Sequence, residues 1–384
     1  MSNLQKNLLK SKLPPMIPRP AKNHPGRQKD YSPSIWSDYF HDYVDVAVDC
    51  GSFRVYRSKP AETEDSPILV LLHGGGFSAL SWAVFTTEIT SLIHIQCLAI
   101  DFRGHGDTKT DDDDDLSAPT MANDIASVIN KLYEDKAPRN VLIMGHSMGG
   151  AIAVHIADLN LLPYLVGIIV IDVVEGTALE SLQSMQSFLR SRPTNFKSIQ
   201  NAIEWCVRSG QIRNIESAKV SMPGQIVNNE TNKLAASELP LTEAADLTPT
   251  NLNPLSIPEN EEEEEEKGIK FQAPLPSINP KKYSWRIDLS RTEKYWKGWF
   301  EDLSNKFLNT SIPKLLILAG IDNLDKTLQI GQMQGRFQLQ VLARTGHAVH
   351  EDQPHHVAET LGSYLTRNKF AEAKTAFHPV MPQC

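Results

Sequence analysis

The chain has 384 residues, with 38 Lys and Arg against 46 Asp and Glu, and a net charge of −8. Hydrophobic residues make up 41% and charged residues 22%, which is enough apolar material for a sizeable core in one large domain or two ordinary ones. The acidic balance speaks against a nucleic-acid partner, and no apolar run approaches the roughly 20 residues needed to span a bilayer.

Residues 1–33 are polar, basic and rich in proline, so disorder is expected there. They lack the apolar stretch of a signal peptide. The four cysteines, Cys50, Cys97, Cys206 and Cys384, form no C-x-x-C pair, so no zinc site is expected. A reducing compartment, cytoplasm or nucleus, follows as the expectation. Cys384 has no residues after it to make a prenylation box.

From Tyr43 the pattern changes. Val44, Val46 and Val48 alternate with polar residues, Cys50-Gly51-Ser52 turns the chain, and Phe53 and Val55 alternate again, which predicts a β-hairpin. Short apolar runs follow at 68–72, 97–100, 141–144, 166–171, 315–318 and, more loosely, 339–342. Near-continuous apolar strands are the mark of a parallel sheet buried on both faces. Between and after them Met121, Ile125, Val128, Ile129 and Leu132, and later Val357, Leu361 and Leu365, recur at helical spacing. Strands alternating with helices predict a doubly wound α/β fold. Residues 34–175 and 311–370 are therefore expected to form the core, and 371–384 a tail.

The alternation breaks over residues 176–310. Two helical patterns, 179–189 and 199–207, precede a low-complexity stretch at about 228–270 that holds the run Glu261 to Glu266. Packed like charges repel and bury no core, so this stretch is expected to be disordered. An aromatic-rich helix with Tyr295, Trp296, Trp299 and Phe300 follows. The whole insertion interrupts the alternation after the strand at 166–171, in the position of a lid. Trp285, Tyr295, Trp296 and Trp299 are candidates for a partner surface or for lid core packing. Ile257-Pro258-Glu259 beside the glutamates is a candidate docking motif, or part of a solvated charge run.

The segment from Val141 to Gly150 reads apolar strand, then Gly145-His146-Ser147-Met148-Gly149, then helix. In that setting Gly-x-Ser-x-Gly is a nucleophile elbow, and Ser147 is the candidate nucleophile. His73-Gly74-Gly75-Gly76 follows an earlier strand and leaves backbone N–H groups for an oxyanion. Gly75, Gly76 and Met148 are the candidate donors. The turn from Asp101 to Asp107 reads as structural, and His105 lies before Ser147, out of order for the base. His347, in Gly346-His347-Ala348-Val349-His350 after the last strand, is the candidate base. His350 suits a structural role, and His355 and His356 the surface of the final helix. The acid stays open between Asp322, in the usual position after a late strand, and Asp172, after the strand at 166–171.

Several segments together carry a resemblance. Gly74 to Trp82, Gly145 to His155, Ile171-Asp172-Val173-Val174-Glu175-Gly176-Thr177-Ala178, Glu293 to Trp296, Gly331 to Gly335 and Gly346 to Asp352 resemble the protein phosphatase methylesterases over about residues 40–370. The acidic insert has a counterpart in kind, and Phe77 departs from the polar residue usual in that family. The resemblance implies an α/β-hydrolase fold without metal or organic cofactor. It also implies hydrolysis of the methyl ester on the C-terminal leucine of the catalytic subunit of type 2A protein phosphatase; Ile257-Pro258-Glu259 is then a candidate docking motif for a regulatory subunit of that phosphatase. It assigns the acid to Asp172. A general carboxylesterase or lipase, and a phosphatase-binding protein on a hydrolase scaffold, are the rival functions.

Overall fold

Alternate residues of one strand meet different neighbours. In β3 (Ile68–Leu72), Leu69 and Leu71 face one apolar cluster while Val70 and Leu72 face another, and all five residues are buried. That is the signature of a sheet covered on both sides. The structure is a computed structural model and describes residues 29–60, 66–136, 138, 140–240, 281–320, 324–374 and 376–379.

The chain enters the sheet through a hairpin, β1 (Asp42–Val48) and β2 (Gly51–Arg57), in which Val44 stands opposite Val55 and Val46 opposite Phe53. β4 (Gln96–Ile100) runs antiparallel to β2 and parallel to β3. The two-residue β5 (Lys109–Thr110) pairs with β2. β6 (Val141–His146), β7 (Leu165–Ile171), β11 (Lys314–Leu318) and β12 (Gln338–Val341) continue in parallel. The strand order is β1-β2-β4-β3-β6-β7-β11-β12. Helices α1 (Ala83–Leu92) and α9 (Pro354–Arg367) pack together over one face; α2 (Ala118–Leu132) and α3 (Met148–Asp158) cover the other. The doubly wound α/β architecture expected from the alternation is the one formed.

Between β7 and β11 lies the insertion. It opens with α4 (Glu175–Ser191) and continues through α5 (Ile199–Ser209) and α6 (Ile215–Ser221). α5 has the caps its sequence provides: Ser198 Oγ accepts from the Asn201 N–H, and Gly210 ends it at a φ of 78°. A second small sheet sets β10 (Tyr283–Trp285) between β8 (Asn195–Phe196) and β9 (Ile226–Asn228), over a core of its own that includes Ile203, Met222 and Tyr283. The insertion closes with α7 (Glu293–Phe300) and α8 (Leu303–Asn309).

Two expectations shift. Asn228 to Pro240 belonged to the stretch read as structureless, yet Asn228 pairs with Tyr283, and Leu234, Ala235 and Ala236 are buried. A few apolar side chains suffice to dock this stretch on an existing core. Glu261 to Glu266 and Ile257-Pro258-Glu259 lie outside the described residues. At the other end, the segment read as a tail docks: Ala373 bridges to Ile93, and Phe377 packs near Gly362. Of the two roles open to Trp296 and Trp299, partner surface or core packing, the structure forms core packing. Both are buried in the main core, with indole N–H groups donated to Thr292 Oγ1 at 2.8 Å and to the Leu116 carbonyl at 2.6 Å.

Candidate active site

At the end of β6 the backbone turns through Ser147 at φ 51°, ψ −118° and enters α3 at once. A side chain other than glycine held at such a φ costs about 1–3 kcal/mol and persists only where the surroundings enforce it. Here the Ser147 N–H donates to the Ile171 carbonyl at 3.0 Å, and the Ser147 carbonyl accepts from Ala151 at 3.0 Å. The glycines on either side are steric necessities. A Cβ on Gly145 would stand 2.2 Å from the Gly149 carbonyl oxygen, and one on Gly149 would stand 2.3 Å from that of Leu72. The tight turn lifts the Ser147 hydroxyl to the start of α3, where free N–H groups and the helix dipole favour negative charge.

His347 reaches the same place from the turn after β12. Its Nδ1 lies 2.8 Å from Asp172 Oδ2. Asp172 is nearly buried and His347 largely exposed. The aspartate follows β7 directly at a φ of 48°, a conformation Asp tolerates better than most residues. Its N–H donates to the Ile317 carbonyl at 2.8 Å, and its other oxygen, Oδ1, accepts the Ala319 N–H at 2.9 Å. Both oxygens are therefore held. Asp322, the other aspartate considered, lies outside the described residues. Ser147 and His347 line one cavity, and their side chains are not hydrogen-bonded to each other.

The glycine-rich loop needs one correction. Gly75, Gly76 and Met148 all border the cavity, but the Gly76 N–H donates to His105 Nε2 at 2.9 Å and is not free for an oxyanion. His105 is buried, and its Nδ1–H is given to the Arg103 carbonyl at 2.9 Å. Burial pulls its pKa down to about 4, so it stays a neutral acceptor. His73 does the same work one step earlier. Its Nε2 accepts the Phe102 N–H at 3.1 Å, and its Nδ1–H goes to the Gly74 carbonyl at 2.8 Å. Two buried histidines thus brace the loop that presents Gly75. The sequence signals both, in His73-Gly74 and in Arg103-Gly104-His105, but their partners come from separate loops. His350, read as structural, is buried with its ring 4.1 Å from that of Trp82.

The cavity has a volume of about 450 Å³. Ser147, Met148 and His347 stand on the sheet side, and Met185 and Phe188 of α4 with Trp299 of α7 stand on the insertion side. Arg192 also lines it. Its guanidinium carbon lies 3.4 Å from the centre of the Trp285 ring, and burial lowers its pKa to about 10. Among the described residues no group of three or more His, Cys, Asp or Glu is placed to hold a metal ion.

A carboxylate behind an imidazole, a strained serine beside it, free N–H groups and a mostly apolar cavity suit acyl transfer from an ester or amide. Comparison with known proteins narrows this. The α/β hydrolase family model matches residues 69–360. Among solved structures, an esterase of M. tuberculosis superposes with a TM-score of 0.56 at 18% identity, covering 85% of this chain and 92% of that one. E-2-(acetamidomethylene)succinate hydrolase gives 0.58 at 14% identity, covering 85% and 100%. Those likenesses establish the fold alone. Protein phosphatase methylesterase 1 of Mus musculus is 48% identical, with 100% of both chains covered. The probable methylesterase of the same name in Caenorhabditis elegans is 41% identical, covering 93% of this chain and 84% of that one. The chain belongs to the protein phosphatase methylesterase family of α/β hydrolases.

Proposed function

We propose that Ser147, His347 and Asp172 are the catalytic triad, and that the chain removes the methyl ester from the C-terminal leucine of the type 2A protein phosphatase catalytic subunit. The observation that carries the triad is the 2.8 Å contact of His347 Nδ1 with Asp172, at the mouth of the cavity that Ser147 lines. Family membership carries the substrate. His347 takes the serine proton as Ser147 Oγ attacks the ester carbonyl. The Gly75 and Met148 N–H groups hold the oxyanion. Methanol departs with the proton from His347. Water, activated by the same imidazole, then releases the free carboxylate from the acyl-enzyme. Asp172 keeps the proton on Nδ1 and stabilises the imidazolium. The apolar walls around Met185, Phe188 and Trp299 suit a leucine side chain.

The substrate is a folded protein's tail, so contacts outside the cavity and with regulatory subunits belong to this reading. Compartment does too: Cys50, Cys97 and Cys206 are free thiols, as suits the cytoplasm or nucleus. Among the described residues no helix is long and apolar enough to cross a membrane.

The test is methanol release from carboxymethylated phosphatase, compared with a methylated peptide of the same tail. Fast release from the phosphatase, slow release from the peptide, and none with Ser147→Ala are expected. Equal rates on both, or turnover of simple esters only, would favour a general esterase.

A further inference from the structure

His146 is the middle residue of the Gly145-His146-Ser147 elbow and is fully buried. Its Nδ1 is packed against Gly74, so closely that a Cβ there would stand 2.7 Å from it, and it has no hydrogen-bond partner. A buried polar atom without a partner is a cost that an apolar ring of the same shape would avoid. The other nitrogen supplies the return. His146 Nε2 lies 2.9 Å from the main-chain carbonyl of His347, a residue 201 positions away. A carbonyl only accepts, so Nε2 carries the proton and Nδ1 is the bare nitrogen. Burial and the neighbouring histidines hold the ring neutral, well below the ordinary histidine range.

The surroundings make this tie stiff. The backbone of His146 is paired with Ile171 in the sheet. Its ring centre lies 4.7 Å from those of both His347 and His350, and His350 rests in turn on Trp82. On another side Phe77 of the oxyanion loop meets it edge to face at 5.7 Å. The turn it reaches is exposed at Ala343, Arg344 and His347, and its other main-chain ties run elsewhere: Arg213 donates to the Arg344 carbonyl at 3.2 Å, Gln353 to the Ala343 carbonyl at 3.2 Å, and the Gly346 N–H to Asp352 Oδ2 at 2.5 Å. The His347 carbonyl also accepts the Val349 N–H at 3.0 Å, but that bond is local to the turn and does not fix its distance from the serine.

We propose that His146 is a positioning residue, whose Nε2–H to the His347 carbonyl sets the height of the imidazole over Ser147. One ring then gauges the nucleophile strand, the base loop and the oxyanion loop together. The proposal rests on the reading of His347 as the base. Misplacing a catalytic group by about 1 Å costs on the order of a hundredfold in rate.

The experiment uses the full chain and a small chromogenic acetate ester, with kcat and KM measured separately. His146→Phe fills the space without a donor; His146→Gln retains an amide N–H at similar reach. The expected result is a His146→Phe protein that melts within a few degrees of wild type, with kcat down about 10- to 100-fold and KM little changed. His146→Gln should recover most of kcat. Wild-type kcat in His146→Phe, or a well-folded Gln variant as slow as Phe, overturns the proposal. Long-range ¹H–¹⁵N spectra of ¹⁵N-histidine-labelled wild-type protein decide it without any variant: the Nε2–H tautomer of His146 is required, and an Nδ1–H tautomer overturns it. Full activity in His347→Ala would instead remove the reading of His347 as base and leave that tautomer as it was.

Discussion

Asp172 Oδ2 and His347 Nδ1 meet at 2.8 Å across 175 residues of sequence, and the second carboxylate oxygen is already committed to the Ala319 N–H. The carboxylate therefore cannot swing away from the ring without breaking a main-chain bond. Asp172→Asn keeps the shape, and Asn tolerates the positive φ of this position. The amide, however, no longer favours the proton on Nδ1. The expected outcome is a folded protein with kcat lowered on the order of 10⁴-fold, the size seen for the same exchange in a serine protease triad. Methanol release alongside a thermal melt checks both halves. A variant with near-normal kcat would put the acid elsewhere.

The elbow makes a steric prediction. In Gly149→Ala the new methyl group would stand 2.3 Å from the Leu72 carbonyl oxygen, which belongs to a central strand and cannot retreat. A loss of more than about 4 kcal/mol of stability, or failure to fold, is expected. Urea unfolding measures it. A variant within about 1 kcal/mol of wild type would show that the strand and helix can separate at this point.

His105 makes a prediction for the oxyanion loop. His105→Phe leaves the Gly76 N–H buried and unbonded, which costs about 1–3 kcal/mol, and lets the loop shift under Gly75. A kcat drop of the order of 10- to 100-fold is expected, less than the 10²–10³ of an outright lost donor. The folded pKa of about 4 lies below the ordinary 6.5. The histidine's share of stability is thus complete above pH 6.5 and falls away as pH drops toward 4. Unfolding curves of wild type and variant should therefore converge across that interval. A constant gap would mean that His105 is not held neutral.

Glu351 makes the opposite pH prediction. It is fully buried, Oε1 accepts from Ser221 Oγ at 3.1 Å, and Oε2 has no partner. Burial, with Asp352 adding to it, raises its pKa well above 4.5. Its contribution is complete below the unfolded value of about 4.5 and is lost as pH rises through the raised folded value. Glu351→Gln should match wild type near pH 4 and exceed it at pH 8. The gap should grow by up to about 1.4 kcal/mol per pH unit in between. Parallel stability curves at pH 5 and pH 8 would show that the carboxylate is ionised in the fold.

Ser147, Gly145 and Gly149 could be read from the chain because an elbow is local: strand, turn and helix lie within ten residues, and the steric demand for glycine acts between near neighbours. The alternation of apolar runs and helical spacing exposed the doubly wound sheet for the same reason, since burial on both faces leaves its mark on each strand separately. Pairings across the sheet leave no such mark. Asp172 and Asp322 both lie between Ser147 and His347, so order could not choose between them. Asp172 faces His347 because β7 and the turn after β12 come together at one edge of the cavity. The same holds for His105, whose ring removes Gly76 from the oxyanion donors, and for Asn228 to Pro240, which fold because a small apolar core formed by Phe196, Met222 and Tyr283 is there to receive them. Which atoms are free to do chemistry depends on which hydrogen bonds distant segments have already made, and only the tertiary structure decides that.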